Sequence, residues 1–319
     1  MIVICAKEDD DHVVAVSSIL QSQHGEDVFV FDTSAFPSQV SLTGSFGLNG
    51  ENLLLQAKNR QIPLQDVTSF WWRRPQPMEI DQAISDPASR NFTFQECISA
   101  LYGVLVCCDG LWVNNMHSDI AAEYKPFQLK VARELDFLLP DTLITNNPRH
   151  VMDFWESKNR AVIYKAFNQR GLVWRPTRPL TEQDMGMLNN VSYAPVIFQA
   201  YVPGVRDVRV TVVGDQIYAT EFDIEQLDSV DYRTTMASLP CRPHTIPAEL
   251  ESKIRQLMQK LKLEYGGVDF RLTHNGEYVF FEINTAGEFM YLQKRTEQPI
   301  ANAMASLLAA GKPVHSHTA

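Results

Sequence analysis

The segment 266–284 (GGVDFRLTHNGEYVFFEIN) constrains the fold more than any other part of the chain. An Asn-Gly pair lies between two runs of alternating apolar residues, which predicts a β-hairpin. Because successive side chains of a strand point to opposite faces, Asp269 shares a face with Arg271. Glu282 shares a face with Asn284 for the same reason. The pattern therefore predicts that four polar side chains can meet on one surface of an antiparallel sheet.

These side chains form a candidate metal site. Asp269, Glu282 and Asn284 offer carboxylate and amide oxygens. Mg²⁺ prefers such oxygens and commonly completes its shell with water and substrate phosphates. An ordinary solvated hairpin face would carry the same residues, and from the hairpin alone the two interpretations are equally good.

The first third of the chain has the rhythm of an open α/β sheet. An apolar run at 1–5, an amphipathic helix at 11–21 and an apolar run at 27–32 predict a β-α-β unit. Further strand-like runs follow at 67–72 and 111–115. The polar segment 37–62 is broken by glycines, and it predicts either a β-meander or a loop.

The remainder alternates between helices and hairpins. Residues 118–135 predict a single helix with Ser118 or Asp119 as its N-cap. A second hairpin is predicted at 207–223, around a Gly-Asp turn. A final helix is predicted at 296–309.

Composition excludes several classes of protein. At 319 residues the chain has room for about two domains. Asp and Glu number 38 against 28 Lys and Arg, and this net charge of −10 argues against a nucleic-acid partner. The longest apolar stretch, 97–113, is too short to span a bilayer, so no membrane partner is expected. Five cysteines without a CxxC spacing predict reduced core thiols in a cytoplasmic protein.

Several cationic residues lie where they could contact phosphates. Lys165 stands inside the apolar run AVIYKAF, and Lys125 precedes Pro126, which also fits the first turn of a helix that begins at Lys125. Arg209, Arg233 and Arg271 could supply forked donors for phosphoryl groups. Taken singly, Lys125 is better explained as a surface lysine, Lys165 could be an edge-strand lysine that faces solvent, and each arginine could form a surface ion pair that contributes little.

The order of these parts resembles the ATP-grasp ligases, and within them the RimK-like branch. The resemblance covers residues 118–310 and includes the hinge-like run FQAYVPG at 198–204. It implies an α/β fold in which two α+β subdomains grip ATP, preceded by an N-terminal α/β pre-ATP-grasp domain. The implied domains are 1–117, 118–196 and 197–319.

The resemblance also implies a role for each candidate residue. Lys125 and Lys165 would hold the α- and β-phosphates of ATP. The hinge residues Gln199, Ala200, Tyr201 and Val202 would contact adenine, and Asp207 would bind the ribose. Two Mg²⁺ ions would be held by Asp269, Glu282 and Asn284. The γ-phosphate and an acyl phosphate would be steadied by Arg209, Arg233 and Arg271.

Two further segments resemble a sub-branch, the microviridin-type (MvdC/MvdD, graspetide) ribosomal peptide maturases. They are FWWRRP at 70–75 and EYKPFQLKVARELDFLLPDTLITNNP at 123–148. The resemblance implies a ligase that activates Asp or Glu side chains of a precursor peptide with ATP. It would then join them to Ser or Thr hydroxyls or Lys amines. The implied partner is a leader-bearing precursor peptide with an acidic core, and a homodimer is plausible.

Two other functions are compatible with the same residues. One is a RimK-like ligase that adds free glutamate or another amino acid to a protein or small molecule. The other is an ATP-grasp fold kept as a peptide-binding module without catalysis. A water loss, a mass gain or no mass change on the acceptor would distinguish the three.

Overall fold

The computed structural model describes residues 1–48, 50–57, 60–167, 176–225, 227, 230–231 and 239–311. The strands are β1 (Ile2–Cys5), β2 (Val28–Phe31), β3 (Val40–Gly47), β4 (Gly50–Ala57), β5 (Arg60–Pro63), β6 (Ser69–Trp71), β7 (Leu111–Val113), β8 (Thr142–Thr145), β9 (Val162–Lys165), β10 (Arg178–Pro179), β11 (Val196–Ala200), β12 (Arg206–Val213), β13 (Gln216–Asp223), β14 (Cys241–His244), β15 (Tyr265–Leu272) and β16 (Tyr278–Asn284). The helices are α1 (Asp11–Gln23), α2 (Pro87–Leu105), α3 (Met116–Glu123), α4 (Lys125–Glu134), α5 (Pro148–Ser157), α6 (Glu182–Met185), α7 (Ala248–Leu261), α8 (Met290–Thr296) and α9 (Ile300–Ala310).

The N-terminal sheet is parallel, with the strand order β2-β1-β6-β7. All four residues of β1 are buried, as expected for a strand covered on both faces. Helix α1 begins where the Asp10 carboxylate accepts the amides of His12 and Val13. The predicted β-α-β start is therefore confirmed. The segment after it forms the antiparallel sheet β3-β4-β5, which is the meander and not the loop.

The predicted single helix at 118–135 is wrong. The chain forms α3 and α4, with Tyr124 in an extended conformation between them. The N-cap is Asn115, whose side chain accepts two amides of the first turn, and not Ser118 or Asp119.

Proline explains the break between α3 and α4. Pro126 lies in the first turn of α4, where its missing N–H costs nothing, but inside a continuous helix its ring would clash with the carbonyl of Ala122. That carbonyl instead accepts a hydrogen bond from the side chain of Gln128. The predicted final helix also starts too early, because Pro299 directly precedes α9.

Two antiparallel sheets form the C-terminal part. One has the order β10-β9-β11-β8, and the other has the order β14-β13-β12-β15-β16. The hairpins β12-β13 and β15-β16 confirm both hairpin predictions. One face of the five-stranded sheet is apolar and packs on α4 and α7.

The last helices return to the N-terminal sheet. Helix α9 packs against α1 and β6. A single apolar core joins Ile4 and Trp71 with Tyr265, Phe289 and α9. The implied domain boundaries after residues 117 and 196 stay predictions, and this shared core joins the first of the three segments to the third.

Two expectations from composition can be compared with the structure. All five cysteines are free thiols, but Cys107 is exposed and does not belong to a core. No helix in the described ranges has both the length and the apolar character to cross a bilayer.

Candidate active site

The second face of the five-stranded sheet carries two arginine–aspartate pairs. The strand register sets Asp207 opposite Arg271 and Arg209 opposite Asp269. Arg209 donates from Nε to Asp269 Oδ1 at 2.6 Å and from Nη2 to Oδ2 at 3.0 Å. Arg271 donates from Nε and Nη2 to the two oxygens of Asp207, both at 2.8 Å. Each pair is therefore bidentate, the geometry that fixes a guanidinium most firmly.

A β-bulge brings Glu282 to this face. Phe270 lies opposite Phe280, whereas Asp269 lies opposite Glu282, so Phe281 is an extra residue in β16. In a ladder without the bulge, Asp269 would oppose Phe281, and Glu282 would point to the apolar face. The bulge thus gathers Asp269, Glu282 and Asn284 on one face, as the sequence predicted, although alternation alone did not reveal how.

Helix α4 brings a lysine to the same place. Lys125 Nζ lies 3.0 Å from Glu282 Oε2, and 18 % of each side chain remains exposed. The buried side chain of Gln128 donates to the carbonyl of Ile283 at 2.8 Å and accepts its amide at 3.1 Å. Gln128 therefore ties the first turn of α4 to β16, and this fixes Lys125 beside Glu282.

Gln128 was missed from the sequence, although a signal was present. It occupies the stripe that Val131 and Ala132 continue at helical spacing, and it is 1 % exposed. A polar side chain in an apolar stripe must find buried hydrogen-bond partners, which here are backbone groups.

Two glycines allow Arg209 to lie flat against its neighbours. A Cβ at Gly267 would lie 2.5 Å from Arg209 Nη1, and one at Gly287 would lie 3.0 Å from it. The guanidinium is thus confined between β15 and the loop after β16 and faces Asp269.

The predicted hinge makes backbone contacts across the four-stranded sheet. The amide of Ala200 donates to the carbonyl of Asp141 at 2.9 Å, and that of Tyr201 donates to Ala161 at 2.8 Å. Among the described residues, the amide of Val202 has no hydrogen-bond partner. A free amide at a strand end is the kind of group that a purine ring nitrogen can accept from.

Arg271 joins this hinge to the polar face. Its Nη1 donates to the carbonyl of Val202 at 3.0 Å. Its guanidinium carbon lies 5.9 Å from the ring centre of Tyr201 and 5.3 Å from that of Phe281. Burial alone would lower the pKa of Arg271, but the hydrogen bonds and charge of Asp207 outweigh burial and raise it. Arg271 and Asp207 thus contact each other and the hinge, and their predicted phosphate and ribose contacts stay predictions.

Three residues that were predicted to contact ATP or the phosphates remain: Gln199, Lys165 and Arg233. Gln199 is buried and donates from Nε2 to Thr142 Oγ1 at 2.9 Å, so its side chain serves the sheet. Lys165 ends β9 with a half-buried side chain. Arg233 lies outside the described residues.

The donor set fits a hard divalent cation. Asp269 and Glu282 are neighbours across two strands, and each already faces a protein cation, Arg209 and Lys125 respectively. The Asn284 side chain adds an amide oxygen on the same face. No group of three or more His, Cys, Asp or Glu side chains within the described part of the chain is arranged to hold a metal. The predicted set contains two carboxylates and needs the amide as its third ligand, which suits Mg²⁺.

Comparisons with known proteins identify the fold and the N-terminal domain. Residues 1–120 match the family described as the MvdD pre-ATP grasp domain. The macrocyclase MdnC from Microcystis aeruginosa MRC, solved with precursor peptide MdnA, matches with a TM-score of 0.87 and 26 % identity over 97 % of this chain and 99 % of that one. A RiPP-associated ATP-grasp ligase from Chryseobacterium gregarium, solved with ADP and a leader and core peptide, matches with a TM-score of 0.87 and 25 % identity over 98 % of this chain and 97 % of that one.

The chain has the ATP-grasp fold, preceded by a pre-ATP-grasp domain. The chain resembles the microviridin-type maturases over almost its whole length, so the family resemblance and the expected fold class are confirmed. A RimK domain ATP-grasp protein from Sphaerobacter thermophilus DSM 20745 has a TM-score of 0.62 at 12 % identity over 96 % of this chain and 98 % of that one, which shows a shared fold alone. No curated protein sequence matches the chain.

Proposed function

We propose that the protein is an ATP-grasp ligase that cross-links acidic side chains of a ribosomal precursor peptide to Ser or Thr hydroxyls or Lys amines. The relatives support this proposal, because MdnC is bound with a precursor peptide and the Chryseobacterium ligase with ADP, leader and core. The observation that carries it is the contact of 3.0 Å between Lys125 Nζ and Glu282 Oε2. It joins a predicted nucleotide contact to a predicted metal ligand in one site.

The reaction has two steps that balance without a covalent enzyme intermediate. A peptide carboxylate oxygen attacks the γ-phosphorus of ATP, the bond to the bridging oxygen breaks, and ADP leaves. The acyl phosphate formed is a good electrophile. A hydroxyl or amine then attacks its carbonyl carbon, phosphate leaves with the carbonyl–oxygen bond pair, and the nucleophile loses its proton. One water is removed from the peptide for each ester or amide formed.

The chain's own residues would act through charge and position. Lys125 and Lys165 would bind the phosphates, and Arg209 would face the charge that develops during transfer. Because Arg209 is confined by two glycines and by Asp269, it loses little freedom when the substrate arrives. Positioning of the acceptor beside the acyl phosphate is then the main task of the protein.

Asp269, Glu282 and Asn284 would hold Mg²⁺, and we propose two ions. Bound there, the metal supplies positive charge to the β- and γ-phosphate oxygens. Lys125, which now faces Glu282, would shift toward the nucleotide phosphates when the nucleotide binds. We also propose a homodimer, which light scattering of the purified ligase would test.

Intact-mass spectrometry tests the proposed reaction. Purified ligase, Mg²⁺ and ATP are incubated with acidic precursor peptides encoded near the gene in its source. The expected result is loss of one water per link, in wild type but not in Asp269→Asn. Asp215→Asn, a matched change at the exposed turn between β12 and β13, should keep the activity.

Each other outcome points to a different function. A gain of whole amino-acid residues in the presence of free glutamate would indicate the RimK-like ligase. Peptide binding with neither mass change nor ADP release would indicate a binding module and would contradict the proposal.

A further inference from the structure

The loop that follows Asn284 is held by the N-terminal part of the chain. Residues 285–289 connect β16 to α8. Arg73 Nη1 donates to the carbonyl of Ala286 at 2.6 Å and reaches that of Gly287 at 3.4 Å. Arg73 is 1 % exposed, so these bonds are shielded from water.

A histidine from α1 holds the other end of the loop. His12 Nε2 accepts the amides of Phe289 at 2.9 Å and Met290 at 3.2 Å. Helix α8 has no side-chain cap of its own, so His12 serves as one. Because both partners are donors, Nε2 must carry a lone pair and the ring proton must be on Nδ1. Nδ1 lies 3.0 Å from Asp10 Oδ1, which accepts that proton.

The surroundings keep His12 in this neutral form. Burial is the main cause that lowers the pKa of His12, and the nearby charge of Arg73 adds to it, against the hydrogen bond to Asp10. Arg73 Nη2 lies 3.1 Å from His12 Nδ1, which is a packing contact and not a hydrogen bond because both nitrogens carry protons. The charged groups that act on the ring are Asp10, Arg73 and Glu288. His12 and Arg73 therefore form one buried unit beneath the loop.

The loop in turn orients Asn284. Asn284 Oδ1 accepts the amide of Ala286 at 3.1 Å, and its carbonyl accepts the amide of Gly287 at 3.3 Å. An amide oxygen has two lone pairs, so Oδ1 keeps one for a further partner. Arg73 holds the carbonyls of the same two loop residues. A shift of the loop must therefore turn the Asn284 side chain.

We propose that Arg73 and His12 are positioning residues that fix loop 285–289 and thereby aim Asn284 Oδ1 at the metal side of the sheet. This inference rests on the proposed function of the site. It gives a role to the first arginine of the FWWRRP motif. The side chain of the second, Arg74, makes an exposed contact of 2.8 Å with Glu288.

Calorimetric titration of ADP at a series of Mg²⁺ concentrations tests the proposal without turnover. Partners beyond the direct ligands typically cost about 10–100-fold in metal affinity when they are removed. We therefore expect Arg73→Gln and His12→Ala to raise the Mg²⁺ concentration for half-maximal ADP binding by about tenfold. His12→Gln keeps an acceptor for the two amides, so it should restore most of the affinity. The matched controls are Arg74→Gln, at the exposed position next to Arg73, and His24→Ala, at the exposed C-cap of α1.

The outcomes separate this inference from the proposed function. If the Mg²⁺ midpoint of Arg73→Gln and His12→Ala equals that of wild type while their melting temperatures fall, the two residues are structural only and the inference is wrong. Should either variant not fold, Arg73→Lys keeps the charge with fewer donors, and a graded midpoint is still expected from it. A wild-type protein whose ADP binding ignores Mg²⁺ would instead contradict the proposed metal site.

Discussion

The two faces of the five-stranded sheet are built from the same strands with opposite chemistry. On one face, valines and phenylalanines alternate along β12, β15 and β16 and pack on α4 and α7. On the other, the same strands carry two buried arginine–aspartate pairs, with Glu282 beside them. The strands alternate strictly, except at the bulge that turns Glu282 from the first face to the second.

The difference separates stability from function. Burial of apolar side chains stabilises a fold by about 25 cal/mol per Å². A buried ion pair, in contrast, contributes about as much as the apolar pair that could replace it. A gain in stability therefore explains why the first face is apolar, but it does not explain why the second face carries charged pairs. Substitutions on the first face should lower the free energy of unfolding, and substitutions at the Glu282 end of the second should lower activity.

The largest expected effect is the loss of activity in Glu282→Gln. The substitution removes one carboxylate of the candidate metal site and leaves its shape intact. We expect kcat/KM to fall about 10³-fold, which is about 4 kcal/mol. The free energy of unfolding should change by less than about 1 kcal/mol, because the pair with Lys125 is partly exposed. ADP-release kinetics and urea unfolding measure the two quantities.

Glu277→Gln is the matched control for Glu282→Gln, because it lies at the exposed turn of the same hairpin. It should leave both quantities unchanged. Full activity in Glu282→Gln would show that the second face is not the site of chemistry.

The next largest effect is the destabilisation by Arg271→Met. It tests the buried Arg271–Asp207 pair, the part of the second face that should affect the free energy of unfolding. Removing one member of a buried pair leaves the other uncompensated, so the free energy of unfolding should fall by about 3–4 kcal/mol. Asp207 is 4 % exposed and cannot turn to water without moving β12. The double variant with Asp207→Leu should recover most of the loss. If it does not, the contact of Arg271 with Val202, and not its charge pair, is what holds the hinge.

Leu257→Ala tests the first face. Leu257 is fully buried in α7 against the sheet. The lost burial of apolar atoms and the cavity left behind should together lower the free energy of unfolding by about 3 kcal/mol. Turnover of the remaining folded protein should equal that of wild type. Gln256→Ala, one position away on the exposed side, should be neutral for both. A tenfold fall in kcat for Leu257→Ala would show that the two faces are coupled.

The sequence predicted the pattern of the two faces better than their geometry. Both hairpins follow from Gly-Asp and Asn-Gly turns between alternating runs, which are local signals. The bulge was not predictable. The run FFEIN has the same sequence pattern whether or not it holds an extra residue, and only its pairing with β15 reveals the bulge. Gln128 was missed for a related reason: its partners are backbone groups of a strand far away in the chain.

The contact between the N-terminal and C-terminal parts was also beyond the sequence. FWWRRP reads as an aromatic strand followed by two surface arginines. Only the fold shows that Arg73 is buried beneath loop 285–289 while Arg74 is exposed. The break between α3 and α4 follows from a local signal, because Pro126 favours a helix that begins at Lys125, as observed, and conflicts with one helix over 118–135.

The smallest expected effect is that of Lys260→Ala. Lys260 of α7 lies 3.2 Å from Glu134 of α4, and both side chains are more than two-fifths exposed. Water and salt screen such a pair, so its loss should change the free energy of unfolding by less than about 0.5 kcal/mol. A double-mutant cycle with Glu134→Ala, at low and high salt, measures the coupling. A coupling above about 1 kcal/mol that survives high salt would mean that charge holds α4 against α7. Apolar packing alone would then not explain how α4 keeps Lys125 beside Glu282. In that helix, charged residues would contribute to stability as well as to function.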